Sequence, residues 1–231
     1  MKWSVSVSLL TMLLSTSVLA QDCVVLLHGL ARSSSSMEKL EQHLEREGYQ
    51  AINYNYPSTQ FPVEKLAATS IKKALSQCDE GKDIHFVTHS MGGILVRQYL
   101  KHNEIDNLKN VVMLGPPNKG SEVVDALKSV PGFSMINGPA GSQLGTDSTS
   151  VPNSLGKVNF HLGVIAGTST MNPLLSTYLP NPDDGKVSVE STKVEGMADH
   201  ISLPVTHTFM MRNDGVISQV THFLHYGYFQ R

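Results

Sequence analysis

The 231-residue chain has only two cysteines and no strong charge of either sign, with 18 Lys and Arg against 20 Asp and Glu for a formal −2. Two thiols cannot build a disulfide framework or a four-thiolate zinc site. A near-balanced charge without a basic or acidic tail excludes the usual footprint of a nucleic-acid binder or an electrostatic tether. Gly at 18 and Pro at 11 exclude collagen-like and low-complexity chains. Gly138, Gly141 and Gly145 do not make a GxGxxG fingerprint, and no histidine pair forms an HExxH zinc motif, so neither a cofactor nor a metal is expected. Past the first twenty residues no apolar run is long enough to cross a bilayer. What remains, 40% hydrophobic and 16% charged, suits one globular domain with a sizeable core and is too apolar for disorder.

Residues 1–20 read as a secretory signal peptide. Lys2 precedes a Leu/Val/Met-rich run, and Val18 and Ala20 are small enough for cleavage before Gln21. Ser4, Ser6, Ser8, Ser15 and Ser17 make the run a poor membrane anchor. Gln21 and Asp22 intervene before Cys23, which argues against lipidation. The mature domain is then 21–231, exported to a periplasm or outside the cell, where the environment permits a disulfide. Cys23 begins an apolar run, and Cys78 ends a helical pattern before another. If those runs are neighbouring parallel strands, both thiols lie at one end of the sheet. A Cys23–Cys78 bridge would close a loop of about 55 residues and contribute roughly 4 kcal/mol; two buried free thiols are the alternative.

Short apolar runs alternate with amphipathic stretches. Val24–Leu27, Ala51–Tyr56, Ile84–Thr88, Val111–Leu114 and His161–Ala166 read as strands, and Lys186–Ser191 as a weaker one. Helical spacing follows Ser33–Ser36, runs from Val63 to Leu75 and from Ile94 to Leu100, covers Ser121–Val130, and returns after Asn213-Asp214. Such alternation implies right-handed crossovers and a mostly parallel sheet with helices on both faces.

In Thr88-His89-Ser90-Met91-Gly92-Gly93 a serine stands between a buried strand and a buried helix, with small residues after it. A nucleophile elbow needs this pattern: the turn is tight, and Gly92 lets strand and helix approach. The helix N-terminus beneath Ser90 favours developing negative charge. Together with Val25-Leu26-Leu27-His28-Gly29-Leu30, Asp184-Gly185 and the region after His207, the chain resembles the α/β-hydrolase superfamily, in particular secreted bacterial lipases and esterases. Thr88 departs from the family's usual glycine at the start of the pentapeptide, so a slightly rearranged elbow is expected.

The resemblance implies an order of Ser, acid, His. It assigns Ser90 as nucleophile and His207, in the loop before the last helix, as base, with His200 as competitor. The acid is Asp184, in an Asp-Gly step, with Asp183 as near rival and Asp199 as a distant one. It also implies an oxyanion hole from the backbone N–H groups of Leu30 and Met91. Phe209 stands where many relatives place a calcium-binding aspartate, which again points to no metal. His28 and His89 flank the site and are expected to pack or hydrogen-bond.

Residues 118–157 lie where relatives insert a cap; Phe133, Met135, Ile136 and Leu144 either line an acyl pocket or belong to a surface loop. The chain is short enough to imply a minimal or small lid. The resulting expectation is a carboxylic ester hydrolase acting on acyl-ester or lipid substrates, with transient contact at a lipid interface. A thioesterase, phospholipase or acyltransferase with the same triad is the alternative, and a non-catalytic binding protein of the same fold a remoter one.

Overall fold

A computed structural model describes residues 22–231; residues 1–20, for which a signal peptide is expected, lie outside the described residues. Six strands, β1 (Cys23–Leu27), β2 (Gln50–Tyr54), β3 (Ile84–His89), β4 (Leu108–Leu114), β5 (Leu162–Gly167) and β6 (Asp199–Leu203), form one sheet in the order β2-β1-β3-β4-β5-β6. Every neighbouring pair is parallel. The α/β-hydrolase class expected from the sequence is therefore the fold observed. The helices are α1 (Glu38–Arg46), α2 (Val63–Leu66), α3 (Lys72–Leu75), α4 (Met91–Leu100), α5 (Glu122–Leu127), α6 (Phe133–Ser142), α7 (Val151–Ser154), α8 (Pro173–Ser176), α9 (Val189–Thr192) and α10 (Asp214–Tyr226). A π-helical stretch, Ala67–Ile71, joins α2 to α3.

Alternation along the strands divides the core in two. Val25, Leu27, Phe86, Val111, Met113 and Val164 face one side, against α2 to α4. Val24, Leu26, Val87, Val112, Leu114 and Ile165 face the other, against α1 and α10. Burial on both faces explains why β1 and β3 read as nearly unbroken apolar runs.

Two strand assignments change. Residues 186–191 do not form a strand: the Asp184 carboxylate takes the N–H groups of Lys186 and Val187, and Ser188 then caps α9 by accepting from Ser191 N–H. A backbone engaged in that turn cannot extend a ladder. Conversely, Asp199–Leu203 is the edge strand β6, half-buried along its length, and its mixed polarity hides it in the sequence.

The cap region is small. The α6 segment is broken at Gly138-Pro139, and residues of α5 and α6 line the same cleft as Ser90. Buried Arg97 of α4 fastens this region by donating to the carbonyls of Asn118, Pro152 and Gly156. Burial lowers its pKa to about 10.

Cys23 and Cys78 are joined by a disulfide, with Cα atoms 5.8 Å apart. The bridge ties the start of β1 to the segment entering β3, the strand beside it. Replacing both cysteines with serine is expected to lower the unfolding free energy by about 4 kcal/mol, measured by urea titration. Reductant should shift the wild-type curve and leave the variant's in place.

Candidate active site

The carboxyl ends of β1, β3, β4 and β5 lie side by side, the edge at which open α/β sheets bind ligands. β3 ends at His89 and α4 begins at Met91, so Ser90 makes the whole turn, with φ 54° and ψ −122°. Its N–H donates to Leu114 O at 2.8 Å, which fixes the turn to β4. A Cβ on Gly92 would lie 2.7 Å from Leu27 O, so only glycine allows α4 this close to β1. Thr88 is accommodated because Gly93 faces it: a Cβ on Gly93 would be 3.2 Å from Thr88 Oγ1.

His207 Nε2 lies 3.0 Å from Ser90 Oγ, and His207 Nδ1 lies 2.7 Å from Asp184 Oδ2. Asp184 is almost fully buried. Its other oxygen accepts from the backbone N–H groups of Lys186 and Val187, at 3.0 and 2.8 Å. His207 N–H also donates to Asp184 O at 3.0 Å, so main chain and side chain join the two loops together. Such an arrangement allows proton transfer from the hydroxyl to an imidazole whose orientation is set by a carboxylate.

The competitors lie elsewhere. Asp183 accepts from Ser176 Oγ and from Gly185 N–H and does not meet His207. His200 on β6 pairs with Thr192 Oγ1 at 3.0 Å. Asp199 accepts from Arg231 and from the N–H groups of His200 and Phe229.

Leu30 and Met91 stand beside Ser90, and among the described residues neither N–H is taken by a protein acceptor. The loop holding Leu30 is braced from below. His28 donates from Nδ1 to Gly29 O and accepts Tyr56 N–H at Nε2; Tyr56 stacks on its ring and donates from its hydroxyl to His28 O. Burial lowers the His28 pKa and keeps the ring neutral, as that pattern requires. Tyr56, at the turn into Pro57, is a supporting residue that local sequence offers no reason to single out.

His89 donates from Nε2 to His207 O at 2.9 Å. Its pKa falls well below the ordinary value, chiefly through burial, then through the charge of His207 and the more distant Arg32 and Lys186.

An open cleft of about 490 Å³ leads away from Ser90 and His207. Leu127, Phe133, Ile136 and Leu144 line it, while Met135 points to solvent and is 84% exposed. The segment carrying α5 and α6 is thus a wall of the cleft, and Met135 lies outside it. Arg32 and Lys186 also line it, and no local motif in the sequence singles them out.

A serine on a strand-to-helix turn, above a parallel sheet and within reach of an oriented imidazole, defines an α/β-hydrolase. Residues 23–157 match the family model of palmitoyl protein thioesterases, and the chain belongs to that family. The matched stretch contains Leu30, Ser90 and Met91, while Asp184 and His207 lie beyond it. Family and fold together make the protein a carboxylic ester hydrolase. No curated protein matches the chain by sequence. Among solved structures it is similar to a mature lipase of Bacillus licheniformis, with 19% identity over 90% of this chain and 92% of that one and a TM-score of 0.64. It is similar to a phospholipase of Legionella pneumophila at 20% identity, covering 87% of this chain and 57% of that one, with a TM-score of 0.68. A metagenomic carboxyl esterase is 18% identical over 82% of this chain and 65% of that one, with a TM-score of 0.63.

The neutral, buried His89 has a consequence for stability. In the unfolded chain this imidazole titrates near 6.5. As pH falls below that value the unfolded state takes up a proton that the native state refuses. The stabilisation is thus complete above the unfolded pKa and declines on acidification, by about 1.4 kcal/mol per pH unit. Urea titrations between pH 7 and pH 5 should show this slope, with contributions from His28 and His85, whose pKa values are also lowered by burial. His89→Gln should make the slope shallower.

Proposed function

We propose that the protein is an exported serine hydrolase that cleaves acyl or lipid esters through an acyl-enzyme intermediate. The observation carrying this reading is the hydrogen-bonded chain from Asp184 through His207 to Ser90, placed at the head of an apolar cleft. Ser90 Oγ attacks the acyl carbon while His207 Nε2 takes its proton. The N–H groups of Leu30 and Met91 receive the oxyanion, and each such donor typically contributes about 10²–10³ in rate. Collapse of the tetrahedral species breaks the bond to the leaving group, which departs with the proton from His207. Water then enters, His207 accepts its proton, and the same steps in reverse release the acid and restore Ser90. Asp184 keeps His207 in the tautomer that exposes a basic Nε2 and stabilises the imidazolium that forms.

The cleft's Leu127, Phe133 and Leu144 suit an acyl chain. Met135 and Leu174 lie outside it, 84% and 69% exposed, and suit transient contact with a lipid interface. A thioester is the second reading, favoured by membership in the palmitoyl protein thioesterase family. The same attack serves either bond. Export is supported by the signal-like residues 1–20 and by the disulfide, which suits an oxidising compartment; N-terminal sequencing of the protein recovered outside the cytoplasm should begin at Gln21.

Ser90→Ala is expected to abolish turnover of p-nitrophenyl butyrate and leave the thermal unfolding midpoint nearly in place; retained turnover would move the nucleophile elsewhere. Asp184→Asn should lower kcat by about 10³–10⁴-fold. Asp183→Asn should cost far less rate and show mainly as reduced stability, because that carboxylate shapes the turn. The opposite ranking would transfer the acid's role to Asp183.

A further inference from the structure

Two clefts meet at the oxyanion loop. The apolar one described above shares Ala31 and Arg32 with a second, of about 470 Å³. The second is walled by Arg32, Ser33 and Ser35 after the oxyanion loop, and by Thr208, Phe209 and Arg212 after His207. Its position has a chemical meaning that rests on the serine-hydrolase reading. His207 must hand its proton to the departing atom, so the leaving group has to lie on the His207 side of Ser90, away from the acyl chain. Ser90 and His207 line the apolar cleft, and the second adjoins it at Ala31 and Arg32, between the residues that follow Leu30 and those that follow His207.

Its charge is one-signed. Arg32 and Arg212 line it, and Lys186 lines the adjoining apolar cleft, whereas among the described residues no carboxylate lines either cleft. Among the described residues the side chains of these three cations have no acidic partner. The chain as a whole carries a formal −2, so this clustering runs against its overall sign. Hydroxyls of Ser33, Ser35 and Thr208 add neutral hydrogen-bonding groups beside the cations. Guanidinium groups with nearby hydroxyls suit the oxygens of a phosphate.

We infer that the Arg32–Arg212 cleft is a leaving-group subsite for a phosphate-bearing alcohol or thiol, so that the natural substrate joins an acyl chain to a phosphorylated leaving group. A glycerophospholipid and an acyl thioester of coenzyme A both have this chemistry. Arg32, shared by the two clefts, marks where the acyl portion ends and the anionic portion begins.

Matched substrates test it. Octanoyl-coenzyme A is compared with octanoyl-N-acetylcysteamine, and dihexanoyl-phosphatidylglycerol below its micelle concentration with dihexanoylglycerol. The phosphorylated member of at least one pair should have a kcat/KM about tenfold higher, and the pair that shows it identifies the source. In the Arg32→Gln/Arg212→Gln double variant, shown to be folded by its thermal unfolding, that ratio should fall toward one. Added NaCl should reduce the wild-type ratio. Ratios near one in both wild-type pairs, or a preference that survives the double substitution, would overturn the subsite while leaving the hydrolase reading intact. Absence of turnover on all four substrates would instead strike that reading. Calorimetric titration with sn-glycerol 3-phosphate then judges the subsite without catalysis: binding that the double variant loses supports it, and no binding by the wild type overturns it.

Discussion

Between Thr88 and Met91 the chain leaves a fully buried strand and enters a largely buried helix, with one residue to make the change. Ser90 makes it in a left-handed conformation that costs a non-glycine residue on the order of 1–3 kcal/mol. That cost is offset because the strand and helix on either side are committed by the core. Phe86 and Val87 point into opposite layers, and Ile94 and Leu95 pack beneath the sheet. The backbone approach at Gly92 and the space at Gly93 remove what would otherwise obstruct the turn. The hydroxyl therefore stands above the sheet edge because two large apolar layers leave the turn no other shape.

The carboxylate and the imidazole reach the same place by a different route. Neither lies within a strand or helix. Asp184 spends one oxygen on two backbone N–H groups and thereby builds the turn that aims the other at His207. Asp183 serves the same turn through Gly185 N–H and Ser176, facing away. Two adjacent residues of one type thus acquire different capacities from the atoms they bond. The loops are further joined by His207 N–H to Asp184 O, and the His207 loop is fastened to the strand-to-helix turn by His89. Little rearrangement is left for a reacting complex to make, the general condition for stabilising charge as it develops.

The surface is asymmetric about Ala31 and Arg32, which the two clefts share. One side is walled by Leu127, Phe133 and Leu144, the other by arginines and hydroxyls. The apolar wall comes from the small inserted helices, held to α4 by the Arg97 contacts with backbone carbonyls. The polar wall comes from the residues that follow Leu30 and those that follow His207. Under the proposed ester cleavage this division would match the two halves of the substrate to different surroundings.

Local sequence determined the elements whose physics is local. Continuous apolar runs marked β1, β3, β4 and β5, because strands buried on both faces tolerate little else. The strand–Ser–Gly-Gly–helix order located the elbow, and neighbouring parallel strands were enough to suggest the Cys23–Cys78 bridge. The strand expected at Lys186–Ser191 failed because a carboxylate two residues upstream captured its N–H groups, and β6 was missed because an edge strand need not be apolar. The resemblance favoured Asp184 and His207, but the contact of Asp184 rather than Asp183 with His207, the pairing of His200 with Thr192, the brace from Tyr56 and the meeting of Arg32 with Arg212 around one cleft come only from the tertiary structure. Each depends on which groups, distant in the chain, are brought within about 3 Å or around one cleft, and no local pattern encodes that proximity.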